Sequence, residues 1–276
     1  MLHQLSPDSF HLAKSLFETK TRLAVAAALA GESPAELYVD DPATPRAAIL
    51  ILWNHRIYLA GTPGNATFPQ DFAALLRERY MPQGKEGRPF GFAVDFTPSV
   101  WEEYLAARFP DMESLRAEHQ YYRIHLGRPI LPPSLPEGFV LRRVDEALLA
   151  QSSLGNYQSL VEEIHSESPS VDDFLQHKFG YCVQYGQDLV GWCLSEYNHG
   201  NQCELGIETL EGFQRRGLAT ATAQATMAYA QSVGMSRIGW HCWKANVPSS
   251  SLARKLGFEH VEDHPMWHYR FDTPLG

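Results

Sequence analysis

A glycine opens an alanine-rich helical segment directly after an alternating segment, and this junction constrains the fold more than any other stretch of the chain. Residues 203–210 alternate apolar and polar side chains, the period-2 pattern of a half-buried strand. Residues 217–233 are rich in alanine, with Met227 and Tyr229 at helical spacing, which predicts a buried helix of several turns. The N–H groups and the dipole at a helix start favour an anion. The junction therefore predicts a phosphate-binding loop.

The glycine spacing of this loop separates it from two common nucleotide motifs. It is Gln214-x-x-Gly217-x-Ala219. The loop lacks the lysine of a P-loop and the Gly-x-Gly-x-x-Gly pattern of dinucleotide-binding proteins. Taken alone, a glycine at the start of an alanine-rich helix is also compatible with an ordinary structural turn, so further residues must decide.

A second block of sequence follows at a short distance. Residues 236–243 form a predicted strand, which leads to Asn246 and then to a short helical segment ending in Leu256, Gly257 and Phe258. A glycine at this point fits a helix C-terminus, because glycine readily takes the left-handed cap conformation. The two blocks together resemble the GNAT superfamily of N-acetyltransferases, in which a Gln/Arg-x-x-Gly-x-Gly/Ala loop is followed by such a strand, asparagine and Leu-Gly-Phe ending.

The resemblance implies an α/β fold for the C-terminal half, with a mixed, V-shaped, splayed central sheet flanked by helices. Residues 139–144, 180–184 and 189–196 read as strands, and 146–165 and 171–177 as helical stretches, which is the element order that a GNAT domain would show. At full length the chain looks similar to the GNAT group that includes the zwittermicin A resistance acetyltransferase. That closer similarity rests on the order of the two halves and on the residues of two strands, Ile-Glu-Thr-Leu at 207–210 and Trp-His-Cys-Trp at 240–243.

The resemblance also implies how acetyl-CoA would bind. The loop amides would hold the pyrophosphate, and the pantetheine arm would add to the open edge of the preceding strand. Two loop arginines either steady phosphates or are simply solvated. The residues assigned to the cofactor in this way are Ile207, Glu208, Thr209, Gln214, Arg215, Arg216, Gly217, Leu218, Ala219, Thr220 and Asn246.

Two residues are candidates for the base that deprotonates an acceptor amine. His241 lies where several GNAT enzymes carry a catalytic glutamate, and an imidazole titrates near neutral pH. Glu204 lies where other members place a glutamate that acts through water; for both residues, a solvated strand face is the alternative. Many members have a tyrosine acid at the position of Ala253, so here another phenol, such as Tyr229 or Tyr269, serves, or coenzyme A leaves unassisted.

The N-terminal half reads as a separate α/β domain that is non-catalytic, and a degenerate GNAT-like unit is the variant of this reading that stays open. Its predicted helices cover residues 9–29, 69–80 and 99–108, and its predicted strands cover 35–39, 47–59 with a turn at Asn54 and His55, 90–96 and 120–126. A proline-rich segment at 128–137 reads as a semi-rigid linker. We therefore expect domains at residues 1–127 and 138–276.

Composition excludes several classes of protein. The 276 residues include 23 Lys and Arg against 32 Asp and Glu, a net charge of −9 that argues against a nucleic-acid or anionic-membrane binder. The longest apolar runs are too short to span a bilayer, so we expect a cytoplasmic protein. Cys182, Cys193, Cys203 and Cys242 lack metal-ligand spacing, and we expect buried thiols and no metal.

The function that these observations favour is transfer of the acetyl group of acetyl-CoA to a primary amine of a small molecule. Three alternatives stay open: an acetyltransferase for a protein amine, an acyl-CoA-binding protein without turnover, and an interaction module whose N-terminal half recognises a macromolecule.

Overall fold

A computed structural model describes residues 2–18, 22–53, 56–64, 67–79, 90–105 and 112–271. Its strands are β1 (His3–Leu5), β2 (Ala35–Val39), β3 (Ala47–Leu52), β4 (Arg56–Gly61), β5 (Phe90–Thr97), β6 (Glu113–His125), β7 (Phe139–Arg143), β8 (Gly180–Tyr185), β9 (Asp188–His199), β10 (Gln202–Thr209), β11 (Arg237–Trp243) and β12 (Glu259–Phe271). Its α-helices are α1 (Lys14–Phe17), α2 (Leu23–Leu29), α3 (Thr67–Arg79), α4 (Val100–Leu105), α5 (Glu146–Leu149), α6 (Tyr157–Glu167), α7 (Val171–His177), α8 (Leu218–Ser232) and α9 (Val247–Lys255).

The chain forms two compact units, and their bounds differ from the predicted domains. Unit 1 comprises Met1–Glu118 with His264–Gly276, and unit 2 comprises His119–Asp263. The reason is strand pairing: residues 119–125 of β6 pair antiparallel with all of β11, whereas residues 266–271 of β12 pair antiparallel with β5. The predicted linker at 128–137, which carries no helix or strand, therefore lies inside unit 2.

Unit 1 has a mixed sheet. Strands β1 to β4 pair antiparallel in sequence order, and β4 pairs parallel with β5 across the connection that contains α3. All six side chains of β3 are buried, as expected for a strand covered on both faces. A core cluster that includes Ile49, Phe68, Trp101 and Tyr269 packs the helices on the sheet.

Unit 2 repeats this order of pairing. Strands β7 to β10 form an antiparallel meander, and β10 then pairs parallel with β11 through the connection that contains α8. Helix α8 packs on β8, β9 and β10, where the Thr226 hydroxyl donates a hydrogen bond to the Cys193 carbonyl. The core between α8, α9 and the sheet includes Trp240, Cys242 and Phe258.

The four cysteines are buried, unbonded thiols in β8, β9, β10 and β11, which confirms that prediction. Burial raises the pKa of the Cys182 and Cys193 thiols to about 12 and also raises the pKa of Cys203 and Cys242. These thiols are therefore protonated at neutral pH and are poor nucleophiles.

The long N-terminal helix predicted at residues 9–29 is wrong. Residues 7–13 form a 3₁₀-helix, α1 and α2 are short, and Arg22 before α2 has an extended backbone. Its guanidinium Nε donates to a buried carboxylate oxygen of Asp95 on β5 at 2.6 Å, a tertiary contact that helical periodicity cannot show. The predicted helix at 146–165 is likewise divided into α5 and α6.

Several predicted elements agree closely with the structure, and some lie partly outside it. The predicted strand 35–39 and helix 171–177 match β2 and α7. The hairpin of β3 and β4 is present, but its predicted turn at Asn54 and His55 lies outside the described residues, as do residues 80 and 106–108 of two predicted helices. Within the described chain, every helix is too short or too polar to cross a bilayer.

Candidate active site

The central strands of unit 2 separate part-way along their length. Parallel pairing of β10 with β11 covers Gln202–Arg237, Cys203–Ile238 and Glu204–Gly239. From Leu205 to Thr209, β10 pairs with β9, whereas from Trp240 to Trp243, β11 pairs with β6. A bulge in the β9–β10 ladder lies between Cys203 and Leu205, where the two parallel strands begin to diverge. The sheet therefore contains a fork, as the predicted splayed sheet requires.

The loop after β10 leads into the N-terminus of α8. Gly217 is the N-cap residue with a φ of +83°, and no side chain caps the helix start. A Cβ placed on Gly217 would meet no atom within 4 Å. The first N–H groups of a helix have no intrahelical partner, so an anion could reach those of Leu218, Ala219 and Thr220 from this open side.

Side chains of the same loop fix its shape. The Gln214 amide donates to the Thr209 carbonyl at 3.1 Å and ties the loop to the end of β10. Arg215 adopts a φ of +61°, an uncommon conformation outside glycine. Arg216 donates to the Gly212 carbonyl and lies over the ring of Phe213. Gln214 and Arg216 thus have structural roles, which their assignment to the cofactor did not anticipate.

A hollow of about 620 Å³ lies beside the first turns of α8. It is bordered by Thr220 and Gln224 of α8, by Lys255 at the end of α9 and by the segment around Arg128. The Lys255 ammonium donates to the Thr220 hydroxyl at 3.3 Å. Polar and basic groups next to an uncapped helix N-terminus suit an anionic ligand.

Helix α9 places two residues that the sequence singled out. Asn246 is its N-cap, and the side-chain oxygen accepts a hydrogen bond from the Ser249 N–H at 3.1 Å. Such a cap satisfies one of the unpaired N–H groups of the helix start. Ala253 is fully buried in the core that also contains Trp240.

The two candidate bases meet at the fork. His241 faces away from the core residues Trp240 and Cys242, as strand alternation predicts, and its Nε2 lies 3.3 Å from a carboxylate oxygen of Glu204. The His241 side chain is 22% exposed and that of Glu204 is 5% exposed. The structure therefore combines a reachable imidazole with a buried carboxylate, an arrangement in which the carboxylate stabilises the imidazole after it has accepted a proton.

A third residue at this place was missed by the sequence analysis. Tyr121 of β6 is the register partner of His241, and the two rings stack with centroids 4.4 Å apart and planes 22° apart. Gly239 forms the floor beneath them: a Cβ there would lie 2.9 Å from Glu204 Cγ and 3.0 Å from the Tyr121 hydroxyl. A glycine inside a strand is a sequence signal of such close approach.

The two phenols proposed to replace the missing acid are engaged elsewhere. The Tyr229 hydroxyl accepts a hydrogen bond from an Arg143 N–H at 2.7 Å, and the guanidinium lies over the Tyr229 ring. Tyr269 belongs to unit 1, where its hydroxyl donates to the Leu105 carbonyl at 2.9 Å and burial raises its pKa.

Comparison with known proteins places the chain in a family. A family model described as GNAT acetyltransferase matches residues 14–267. The chain belongs to the GNAT acetyltransferase family. It is 27% identical over 270 residues to the uncharacterized N-acetyltransferase YdfB of Bacillus subtilis (strain 168), covering 97% of this chain and 98% of YdfB. The finer similarity to the zwittermicin A resistance group stays a prediction.

Solved structures share the GNAT fold over most of this chain. A GCN5-related N-acetyltransferase-like protein from Streptococcus suis 89/1591 superposes with a TM-score of 0.72 at 19% identity, over 95% of this chain and 99% of its own. A tandem GNAT protein from the clavulanic acid biosynthesis pathway superposes with a TM-score of 0.59 at 14% identity, over 98% of both chains. The predicted GNAT fold class is confirmed, and unit 1 repeats the strand order of unit 2.

Proposed function

We propose that this GNAT protein transfers the acetyl group of acetyl-CoA to a primary amine of a small molecule. The observation that carries the proposal is the Glu204–His241 pair at the point where β10 and β11 separate. The β10 edge from Leu205 to Thr209 begins beside Glu204, and the loop that follows this edge leads to the uncapped start of α8. The fork of the sheet thereby has a proton acceptor at its start and a candidate cofactor-binding loop beyond it.

The residues of the loop fit the cofactor that the family uses. The open space at Gly217 and the N–H groups of 218–220 suit a pyrophosphate, and the hollow bordered by Lys255 and Arg128 suits the rest of an anionic nucleotide. The β10 edge at Ile207, Glu208 and Thr209 can accept an extended arm, since β10 pairs with β9 on its other side.

Acetyl-CoA supplies a thioester whose carbonyl carbon is electrophilic and whose thiolate is a tolerable leaving group. The His241 imidazole takes a proton from the acceptor amine on Nδ1, the ring nitrogen that does not face Glu204, and Glu204 stabilises the charged imidazole that results through its contact with Nε2. The amine nitrogen forms a bond to the carbonyl carbon as the bond from carbon to sulfur breaks. The buried position of Glu204 strengthens its interaction with the imidazole, because little water screens the pair.

The proposal is tested by following thiol release from acetyl-CoA over a panel of primary, secondary and aromatic amines and a lysine-containing peptide. We expect release with some small primary amines and none with secondary amines. The buried cysteines of the protein, with raised pKa values, will not react quickly with the thiol reagent, so the signal reports coenzyme A.

Two results would contradict the proposal. Tight binding of acetyl-CoA in calorimetry without thiol release for any amine would indicate a binding protein without turnover. Release with the lysine-containing peptide alone would indicate a protein acceptor instead of a small molecule.

A further inference from the structure

We propose that Tyr121 is a positioning residue that holds the His241 imidazole against Glu204, so that the three residues work as one base assembly. This inference rests on the proposed function. Tyr121 is 9% exposed, and its ring stacks on that of His241 at 4.4 Å. A stacked ring removes rotational freedom from the imidazole, which otherwise could turn its Nε2 away from the carboxylate.

The floor of the assembly supports the same inference. Gly239 lies between Ile238 and Trp240 in β11, and because it has no side chain it leaves room for both Glu204 and the Tyr121 phenol. A methyl group at that position would lie 2.9 Å from Glu204 Cγ, closer than real Cβ contacts come, and 3.0 Å from the Tyr121 ring, a tight contact. The space that glycine leaves is therefore filled by two members of the assembly.

Tyr122, the next residue of β6, shows what a purely structural tyrosine looks like here. It is fully buried on the opposite face of the sheet, in the core with Trp240. Its hydroxyl accepts from Arg254 and donates to Gln120, so its bonds lie within the packing of unit 2. The two tyrosines thus offer a matched pair of variants on one strand.

The first experiment measures kcat and the KM for acetyl-CoA in the full-length protein. Tyr121→Leu removes the stacked ring, and we expect kcat to fall by about 10- to 100-fold with an unchanged KM, since misplacing a reacting group by about 1 Å can cost that much. Tyr121→Phe keeps the ring, and its kcat should stay within about three-fold of wild type on the same argument. Tyr122→Leu should lower the melting temperature and leave kcat within that range.

The second experiment separates positioning from general structure by a double mutant. In a His241→Ala background, Tyr121→Leu should cause no further loss of kcat, because the imidazole that it positions is gone. A merely structural role would lower kcat again. Gly239→Ala approaches the same assembly from its floor, and we expect it to lower kcat as Tyr121→Leu does, which keeps the test available if the leucine variant does not fold.

A spectroscopic readout checks the stack without turnover. The ring protons of His241 lie over an aromatic ring, so their NMR signals should be shifted upfield in wild type and in Tyr121→Phe. In Tyr121→Leu the ring current is lost, and the signals should move back downfield. An active wild type with an equally active Tyr121→Leu variant would overturn the inference, as would a Tyr121→Phe variant as slow as Tyr121→Leu. A wild type that releases no thiol with any amine would instead overturn the proposed function, and this shift would still report the stack.

Discussion

Burying a carboxylate costs free energy because the charged group loses its hydration, unless a neighbouring group compensates for the loss. Glu204 loses most of its hydration in β10, and His241 is the neighbour that can return part of it as a charged partner. The imidazole keeps 22% of its surface accessible, so an incoming amine can reach it while the carboxylate stays covered. At the scale of residues, His241 is therefore the group that we propose contacts the acceptor.

Separate substitutions of the pair distinguish the two candidate bases. His241→Ala should lower kcat by about 10²- to 10⁴-fold, the usual contribution of a general base, with cofactor affinity unchanged. Glu204→Gln keeps the shape of the side chain but removes the charge, and its defect should be smaller. A matched control is His260→Ala, since His260 also pairs with a carboxylate, that of Asp263, on the exposed surface. The reverse order of defects would assign the proton to Glu204 and a water.

Sequence reasoning reached part of this site, for a physical reason. Strand alternation places His241 opposite to Trp240 and Cys242, and that is a local property of one strand. Tyr121 is separated from His241 by 120 positions of sequence, and only the pairing of β6 with β11 brings the rings together. Gly239 was the remaining signal, because a glycine inside a predicted strand indicates that something else approaches the backbone.

At the scale of elements, α8 carries a left-handed glycine at each end. Gly217 precedes the helix with a φ of +83°, and Gly234 follows it with a φ of +88°; a Cβ on either would meet no atom within 4 Å. An alanine at either site costs about 1–2 kcal/mol because of the left-handed backbone. The two glycines thus impose a similar cost on the fold while differing in which end of the helix dipole they occupy.

Gly217→Ala and Gly234→Ala form a matched test of the cofactor site. Both should lower the melting temperature, but Gly217→Ala alone should weaken acetyl-CoA binding, by about ten-fold or more, because its methyl group projects where a pyrophosphate would contact the backbone; ten-fold corresponds to about 1.4 kcal/mol. Calorimetry on folded protein measures this. Equal affinities for acetyl-CoA in the two variants would contradict the assignment of the cofactor to this loop.

The pairing of β6 with β11 and of β12 with β5 could not be predicted from the sequence. Periodicity predicted a strand near residues 120–126, which overlaps β6, and a proline-rich linker after it, a segment without helix or strand that lies inside unit 2. Which strand a given strand pairs with depends on contacts between distant positions, and β11 accepts β6 along its whole length from Arg237–His125 to Trp243–His119. A linker in sequence is therefore not a boundary between the compact units of this chain.

At the scale of the whole molecule, the two units share a strand order but differ at the parallel pair. In unit 1, β4 and β5 stay paired from Arg56–Ala93 to Ala60–Thr97, five consecutive register pairs, whereas in unit 2 the pairing of β10 with β11 covers three and then ends. The middle of the unit 1 pair holds Asp95, whose buried carboxylate accepts from Arg22. Removing one partner of this ion pair would leave an uncompensated buried charge.

This difference predicts that the full-length protein binds one coenzyme A per chain. A pantetheine arm needs an unpaired strand edge with which to form backbone hydrogen bonds. In unit 1, the facing edges of β4 and β5 are paired with each other along the described ladder. We expect isothermal titration calorimetry with acetyl-CoA to give a stoichiometry of one, and Gly217→Ala to weaken that single event. A second event that persists in the Gly217→Ala variant would show that unit 1 has a cofactor site of its own, and the proposal that unit 1 is non-catalytic would then fail.

Because Asp95→Asn removes the charge that Arg22 neutralises, it should lower the melting temperature while the stoichiometry stays at one, since the closed ladder and not the ion pair excludes the arm.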